Sequence, residues 1–433
     1  MKKILIVGTV PYNERSSSRA FEAYFHGYHK DRLVQVFSNP KTPVSGHCGQ
    51  LFQITDQRML QRWFSSGVQT GKVWRDEELP REWVDAVPEV DNALMAKLYR
   101  CGSRKFALNH LLRGLLWRKK YWCTPELMAW MDDFAPECVF LAFSDDFFIP
   151  QIALFAAERY DIPIVSCIGD DYYFNDRFSV SPFYHLYRSA YKKLIRRVFA
   201  HGGSAIYISD KIKQKYNQAF DLDGQTVYLT SHLTRRDFLQ RTETPGFYYF
   251  GNIGLGRYRS LYAIGMAMQK TCPDGILYVY SDQHLPEAEK LFARCANIRL
   301  CPAVPYSQLE KLVMNGDIFV IVEGFAAEDI NATRYSLSTK AADALACGCR
   351  IFVYGPEEAG VVEYMASTGA ATVCTEEKQL EGSLLELFDE NLQYQYYCRA
   401  QQVTRKHHNI NSSTATFRKV VAQAVDGYER KQI

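Results

Sequence analysis

Residues 317–355 read DIFVIVEGFAAEDINATRYSLSTKAADALACGCRIFVYG. Two short apolar runs, 317–324 and 349–355, enclose a long loop and then a run of small helix formers, 339–347. Both runs are apolar throughout rather than alternating, which is the pattern of parallel strands covered on both faces. Gly348 ends the helix where a left-handed residue is favoured. The helix starts at Ser338 or Thr339, and its unpaired N–H groups and dipole favour an anion there. A capping box would place an acid at Ala341 or Ala342. The acid is instead Asp343, one turn in, where a carboxylate suits vicinal hydroxyls such as those of a ribose.

The same grammar runs outward in both directions. Strands are expected at 2–8, 33–38, 138–144, 162–169 and 205–209, with helices at 147–159 and 183–199. The pattern restarts with strands at 226–231, 246–254, 275–281, 298–304, 317–324, 349–355 and 370–375. Helices are expected between them at 258–270, 285–295, 306–315, 339–347 and 358–367, and the tail 377–430 reads as helical. This is an α/β class of two doubly wound, Rossmann-like parallel-sheet domains. Expected bounds are 1–215 and 225–400, with a hinge near 215–230 and a C-terminal helix over 401–433 that packs back on the first domain.

The totals exclude several classes. The chain has 433 residues with 47% hydrophobic and 23% charged content, which suits a soluble protein of two or three domains. A net charge of +3 is too small to imply nucleic acid as partner. Twelve cysteines are scattered without CxxC spacing and suit a reducing cytoplasm. The N-terminal MKKILIVG stops at Gly8 and reads as a strand rather than a signal peptide. No run approaches the ~18 apolar residues of a membrane span. Two stretches, 98–125 and 178–209, are basic, free of acids and interleaved with leucines or aromatics. They read either as solvated helix faces or as peripheral contacts with an anionic membrane.

In open α/β sheets ligands bind at the carboxyl ends of strands. YYFGNIGLGRYRSL (248–261) places glycines and then Arg257 and Arg259 after a strand, a weak phosphate-loop signal by itself. With it, STKAADALACGCRIFVYGPEEAGVVEYM (338–365) resembles the donor-binding segment of glycosyltransferase family 4, retaining enzymes of the GT-B fold. IRLCPAVPYSQLEKLVMNGDIFVIV (298–322) and ISDKIKQKYNQAF (208–220) resemble further segments of that family, in the right order. The resemblance covers about 205–370. It implies Asp343 on the donor ribose and Ser338 and Thr339 at the diphosphate. It also implies Arg259 as the diphosphate cation, Arg257 beside it, Gly254 in the loop and Tyr306 near the base.

The chain departs from the family at three places. The acid expected eight residues before Asp343 is Tyr335, leaving Glu323, Glu328 or Asp329 to contact the sugar. Gly169 stands where the family has a histidine, with Asp170 as the adjoining acid and the candidate to steady a sugar cation. The loop after the first strand lacks paired glycines. Gly8 at the donor and Arg15, Ser17, Ser18 and Arg19 at the acceptor occupy it, with Asp145 as a further acceptor contact. DLD (221–223) reads as a turn rather than a metal motif, and His407–His408 reads as surface. No cofactor and no metal are expected. The expected activity is hexose transfer from a UDP or GDP sugar to a glycan or lipid-linked acceptor, in bacterial surface polysaccharide or glycolipid synthesis. Alternatives are a nucleotide-sugar epimerase of the same fold, or a catalytically inactive GT-B protein that binds a partner.

Overall fold

The computed structural model describes residues 1–12, 18–40, 42–44, 46–81, 107–176, 178–240 and 244–432, with only the backbone of 18, 19, 307, 431 and 432. The chain divides into two compact units, Met1–Val227 with Thr414–Ile433, and Tyr228–Ser413.

The first unit carries β1 (Ile4–Gly8), α1 (Ser18–Phe25), β2 (Leu33–Phe37), β3 (Gln50–Ile54), α2 (Asp56–Phe64) and β4 (Gly71–Arg75). It continues with α3 (Ala107–Leu116), α4 (Lys119–Trp122), α5 (Pro125–Phe134), β5 (Cys138–Ala142), α6 (Phe148–Tyr160) and β6 (Ile164–Ile168). Then come α7 (Pro182–His201), β7 (Gly203–Tyr207), α8 (Asp210–Phe220) and β8 (Gln225–Thr226). Among the described residues its sheet runs β4-β3-β2-β1-β5-β6-β7-β8. Every neighbouring pair is parallel except β3 with β4. The strand order reverses between β1 and β5, where Ile4 pairs with both Leu33 and Cys138. Ile4, Ile6, Phe25, Phe140 and Val165 form its core, joined by Phe417, Val420 and Val421 from the last helix.

The second unit carries β9 (Gly246–Phe250), α9 (Arg257–Thr271), β10 (Ile276–Tyr280), α10 (Pro286–Phe292), β11 (Ile298–Cys301) and α11 (Tyr306–Asn315). β12 (Ile318–Val322), α12 (Ala327–Thr333), α13 (Thr339–Cys347), β13 (Arg350–Tyr354) and α14 (Gly360–Thr368) follow. β14 (Thr372–Cys374), α15 (Leu380–Glu386), α16 (Glu390–His407) and the start of α17 (Ile410–Gln432) complete it. Its all-parallel sheet runs β11-β10-β9-β12-β13-β14, and the order reverses between β9 and β12. Phe247, Tyr249, Val320, Val322 and Phe352 pack with Leu261, Ile264 and Met268 of α9.

Two expectations are corrected, and one stretch without a strand or helix reading is filled. The stretch 226–231 does not lead the second sheet. Only Gln225–Thr226 is strand, and it closes the first sheet against Ile206 and Tyr207. The region 50–81 holds β3, α2 and β4, whose glutamines and lysine mask the strand pattern. Gln50 and Gln53 are tied by Trp130 and Trp74 indole N–H groups at 2.8 and 3.1 Å. The loop after β12 contains α12, a helix too short to show a periodic stripe.

Candidate active site

The reversal between β9 and β12 brings two glycine-bearing loops together. β9 ends at Phe250, and Gly251 follows with φ +123°, a conformation L side chains rarely adopt. A Cβ there would lie 2.9 Å from Lys340 Cε. Gly256 caps α9 with φ +69°, and a Cβ on it would run into Asp329 Oδ2. A Cβ on Gly324 would meet the Leu255 carbonyl. Glycine at these positions lets the backbones after β9 and β12 touch. The loop's own donors are engaged: Gln283 Oε1 accepts from Ile253 N–H at 3.1 Å and Gly254 N–H at 2.9 Å, and Asn252 Oδ1 also accepts from Gly254 N–H at 2.6 Å. Gly254 therefore meets side-chain oxygens with its N–H rather than holding it open.

Charge at this point is divided unevenly between the two arginines. Arg257 donates through Nε and Nη2 to Glu323 Oε2, both at 2.8 Å, with the two side chains nearly buried. Burial pushes the Glu323 carboxyl above its ordinary value, with Arg257 pulling the other way. Ser260 Oγ donates to the Glu323 carbonyl at 2.7 Å and fixes the start of α9 to the end of β12. Lys340 is half-buried with its ammonium 4.9 Å from the centre of the Tyr249 ring. Burial and then repulsion from Arg257 lower it to about 8, although Glu323 and Asp343 oppose this. Arg259 is exposed and donates to Tyr258 Oη at 3.0 Å. It lines a cavity of about 910 Å³ with Gly256, Phe325, Asp329 and Tyr354. The cation beside Lys340 is thus Arg257, while Arg259, expected at the diphosphate, lines the cavity.

The start of α13 follows from its sequence. Ser338 is the N-cap at φ −60°, ψ 133°, and its Oγ accepts from Lys340 N–H at 3.4 Å. Thr339 begins the helix, exposed. Asp343 is 4% exposed. Its Oδ1 accepts from Ser231 Oγ at 2.7 Å and Tyr306 Oη at 2.9 Å. Tyr306 Oη in turn accepts from His232 N–H at 3.3 Å. At the other end of α13, the Arg236 backbone N–H reaches the Cys347 carbonyl at 3.0 Å, and Arg235 Nη1 reaches the Leu345 carbonyl at 3.2 Å, a cation where the dipole is negative. Tyr335 lies half-buried between α12 and α13. Of the three acids left open, Glu323 holds Arg257, Glu328 is exposed, and Asp329 is buried against the two glycines.

In the first unit the reversal lies at the ends of β1 and β5. A Cβ on Gly8 would come within 3.0 Å of Ala142 Cβ. Gln35 anchors the following loop, donating to the Val10 carbonyl and accepting from Tyr12 N–H, both at 2.7 Å. Arg15 and Ser17, and the side chains of Ser18 and Arg19, lie outside the described residues. Asp170 is exposed, and Tyr172 Oη donates to its Oδ2 at 3.4 Å. Burial, then Asp170 and Asp145, raise the Tyr172 hydroxyl, so both acids surround one phenol. The neighbouring Asp171 is buried and turns the chain, accepting from Tyr216 Oη and Phe174 N–H at 2.8 Å. Arg113 bridges Asp146 and Asp56, and burial pushes Asp146 up to about 6 against that attraction.

Among the described residues no cluster of three or more His, Cys, Asp or Glu has a metal-holding arrangement. Asp221 is the left-handed C-cap of α8. His408 is a correction: it is buried, with Nδ1 2.6 Å from the Leu229 carbonyl and Nε2 2.8 Å from Tyr364 Oη. The carbonyl requires a proton on Nδ1, so Nε2 accepts from the phenol. Burial holds this imidazole down at about 4.

Sequence reasoning missed Lys340, Ser231 and Gln283. Lys340 had a signal: a cation in the first turn opposes the helix dipole and is favoured there only with an anion nearby. Ser231 and Gln283 had none, because their roles arise from contacts with residues 112 and 29 positions away.

No protein-family model matches the chain, and no curated protein sequence does. Solved structures do resemble it. Anabaena HepE, determined in complex with UDP-glucose, is 10% identical with a TM-score of 0.59, covering 98% of this chain and 100% of that one. Sucrose-phosphate synthase from Thermosynechococcus elongatus is 9% identical with a TM-score of 0.58, covering 98% and 99%. TarM is 9% identical with a TM-score of 0.50 over 68% of this chain, which spans only 57% of TarM. With both sheets parallel but for the antiparallel edge strand β4, and each reversing once, this likeness gives the fold class as GT-B, two Rossmann-like parallel-sheet domains in series.

Proposed function

We propose that the chain is a retaining, metal-independent glycosyltransferase. It moves a hexose from a nucleotide diphosphate sugar to a glycan or lipid-linked acceptor, in the making of a surface polysaccharide or glycolipid. The observation that carries this reading is the meeting of Arg257, Lys340 and the α13 N-terminus at the β9–β12 reversal. Glu323 balances Arg257, which leaves Lys340, held at about 8, and the first N–H groups of α13 to receive a further anion. A diphosphate supplies it, and growing charge on the leaving diphosphate is then stabilised without a metal. Asp343, already set by Ser231 and Tyr306, is the acceptor for ribose hydroxyls. Asp170, the open member of GDD (169–171), is the carboxylate for the developing sugar cation, with Asp145 on the acceptor. The described cysteines are free thiols, in keeping with a cytoplasmic site of action.

The test is calorimetric titration with UDP and GDP sugars, beginning with UDP-glucose, followed by analysis of products with and without glycan acceptors. Asp343→Ala is expected to weaken nucleotide-sugar affinity by about 10- to 100-fold, the loss of charged hydrogen bonds of ~1.5–3 kcal/mol. Undiminished affinity and turnover in Asp343→Ala would sink the reading. Conversion of the donor with no acceptor present identifies an epimerase, and binding without any turnover identifies the inactive partner-binding protein.

A further inference from the structure

The two acid-free basic stretches lie far apart in sequence, yet α3 and α7, which come from them, pack side by side in the first unit. The His110 ring stacks on Tyr187 at 4.7 Å. Inward, α3 sets Gly114 against Phe147 and commits Arg113 to Asp56 and Asp146. Outward, it presents Leu108, Leu112 and Leu115, each more than 40% exposed. Their i, i+4, i+7 spacing makes one stripe. α7 repeats the arrangement: Phe183 and Leu186 are exposed in its first turns, and Phe178 and Val180 just before it are 95% and 87% exposed. The tip of α2, which packs on α3, adds Trp63 and Phe64.

Each apolar stripe leads into exposed cations. Arg118, Lys119 and Lys120 follow α3, and Lys193, Arg196 and Arg197 follow along the outer face of α7. The Arg118 guanidinium lies 5.8 Å from the Trp63 ring centre. The acids nearby are engaged: Asp176 holds Arg188 and Lys192, and Glu158 lies 3.2 Å from Arg197. Apolar side chains of this size seldom gather on an open surface unless something covers them. Protein interfaces are depleted in lysine, and Lys119, Lys120 and Lys193 are three of the six cations exposed here. Leucine and phenylalanine bordered by lysine and arginine fit instead the boundary between lipid headgroups and acyl chains. No helix among the described residues is long and apolar enough to cross a membrane, so such contact is peripheral.

We infer that α3, the start of α7 and the tip of α2 form a face that seats on an anionic lipid bilayer, with leucine and phenylalanine side chains entering the headgroup boundary and the flanking cations meeting lipid phosphates. The inference is independent of the transfer activity proposed above. The test is co-sedimentation of the full chain with vesicles of phosphatidylcholine alone and of phosphatidylcholine mixed with phosphatidylglycerol. The chain is expected to pellet with the anionic vesicles and to be released by high salt. Leu112→Glu with Leu186→Glu is expected to weaken binding by about tenfold or more, from the apolar area kept in water. Lys119→Glu with Lys120→Glu is expected to weaken it and flatten its salt dependence. Both pairs are exposed, so melting temperature and nucleotide affinity should match the parent chain. Should the glutamate pair melt lower, Leu112→Ser with Leu186→Ser repeats the measurement. Absence of pelleting by the parent chain, or equal pelleting by the leucine variants, overturns the inference. So does a concentration-dependent dimer in light scattering that the same leucine changes abolish, since a second copy then covers the face.

Discussion

Lys340→Met should stabilise the unliganded protein while weakening its hold on a nucleotide diphosphate. The lysine titrates near 10.5 when unfolded and at about 8 when folded. Between those values the unfolded chain holds more protons, so stability rises with pH. Below about 8 the folded protein carries the whole penalty of an enclosed ammonium. At 1.36 kcal/mol per unit the ceiling is about 3 kcal/mol. The side chain keeps some solvent access, which reduces this to about 1–3 kcal/mol. For a unit of this size that is a rise in Tm of about 2–10 °C near neutral pH. The advantage of the variant should shrink as pH rises above 8 and vanish by about 10.5, where both lysine states are neutral. Titration with UDP should show the opposite effect, affinity falling about 10- to 100-fold with one charged hydrogen bond lost. In the parent chain, affinity should weaken above a pH of about 8, since a bound diphosphate favours the protonated amine. A variant that melts lower than the parent near neutral pH and binds UDP equally well refutes the reasoning, and would make Lys340 an ordinary packing residue.

Two further outcomes follow from the geometry. Gly256→Ala places a side chain at φ +69° and drives its Cβ against Asp329. Urea unfolding should show a loss of about 2 kcal/mol or more, and UDP affinity should fall with it because the loops after β9 and β12 must part. Asp146 is raised in the folded state to about 6 from 3.8, so the folded chain binds the extra proton and stability falls as pH rises between them. Asp146→Asn should remove that dependence, gaining on the parent by about 1–3 kcal/mol between those pH values in parallel denaturant titrations. A constant difference across the range would mean that Arg113 fully offsets the burial.

The strands at the centre of each sheet were legible because residues buried on both faces must be apolar without interruption, as Ile318–Val322 and Arg350–Tyr354 largely are. The bounds of α11 and α13 were legible because Pro305, Ser338 and Gly348 mark helix ends through backbone chemistry that is local. β3 and β4 were not, since β4 is an edge that needs only one apolar face, and in β3 the apolar run is broken by Gln50 and Gln53, whose partners are tryptophans elsewhere in the chain. The same division runs through the site. Ser338, Asp343 and the glycines after β9 could be picked out from spacing. Which of two arginines two residues apart is enclosed could not, because both have the same residue type and nearly the same position in the chain. That choice is made by Glu323, 66 residues away, which lies at the end of the neighbouring strand and captures Arg257 while leaving Arg259 in water. By itself the sequence determined the alternation of strand and helix, the helix ends and the residue types available to an anion. Tertiary structure alone decided which charges meet, because ion pairing falls off within a few ångströms and those ångströms are set by strand order.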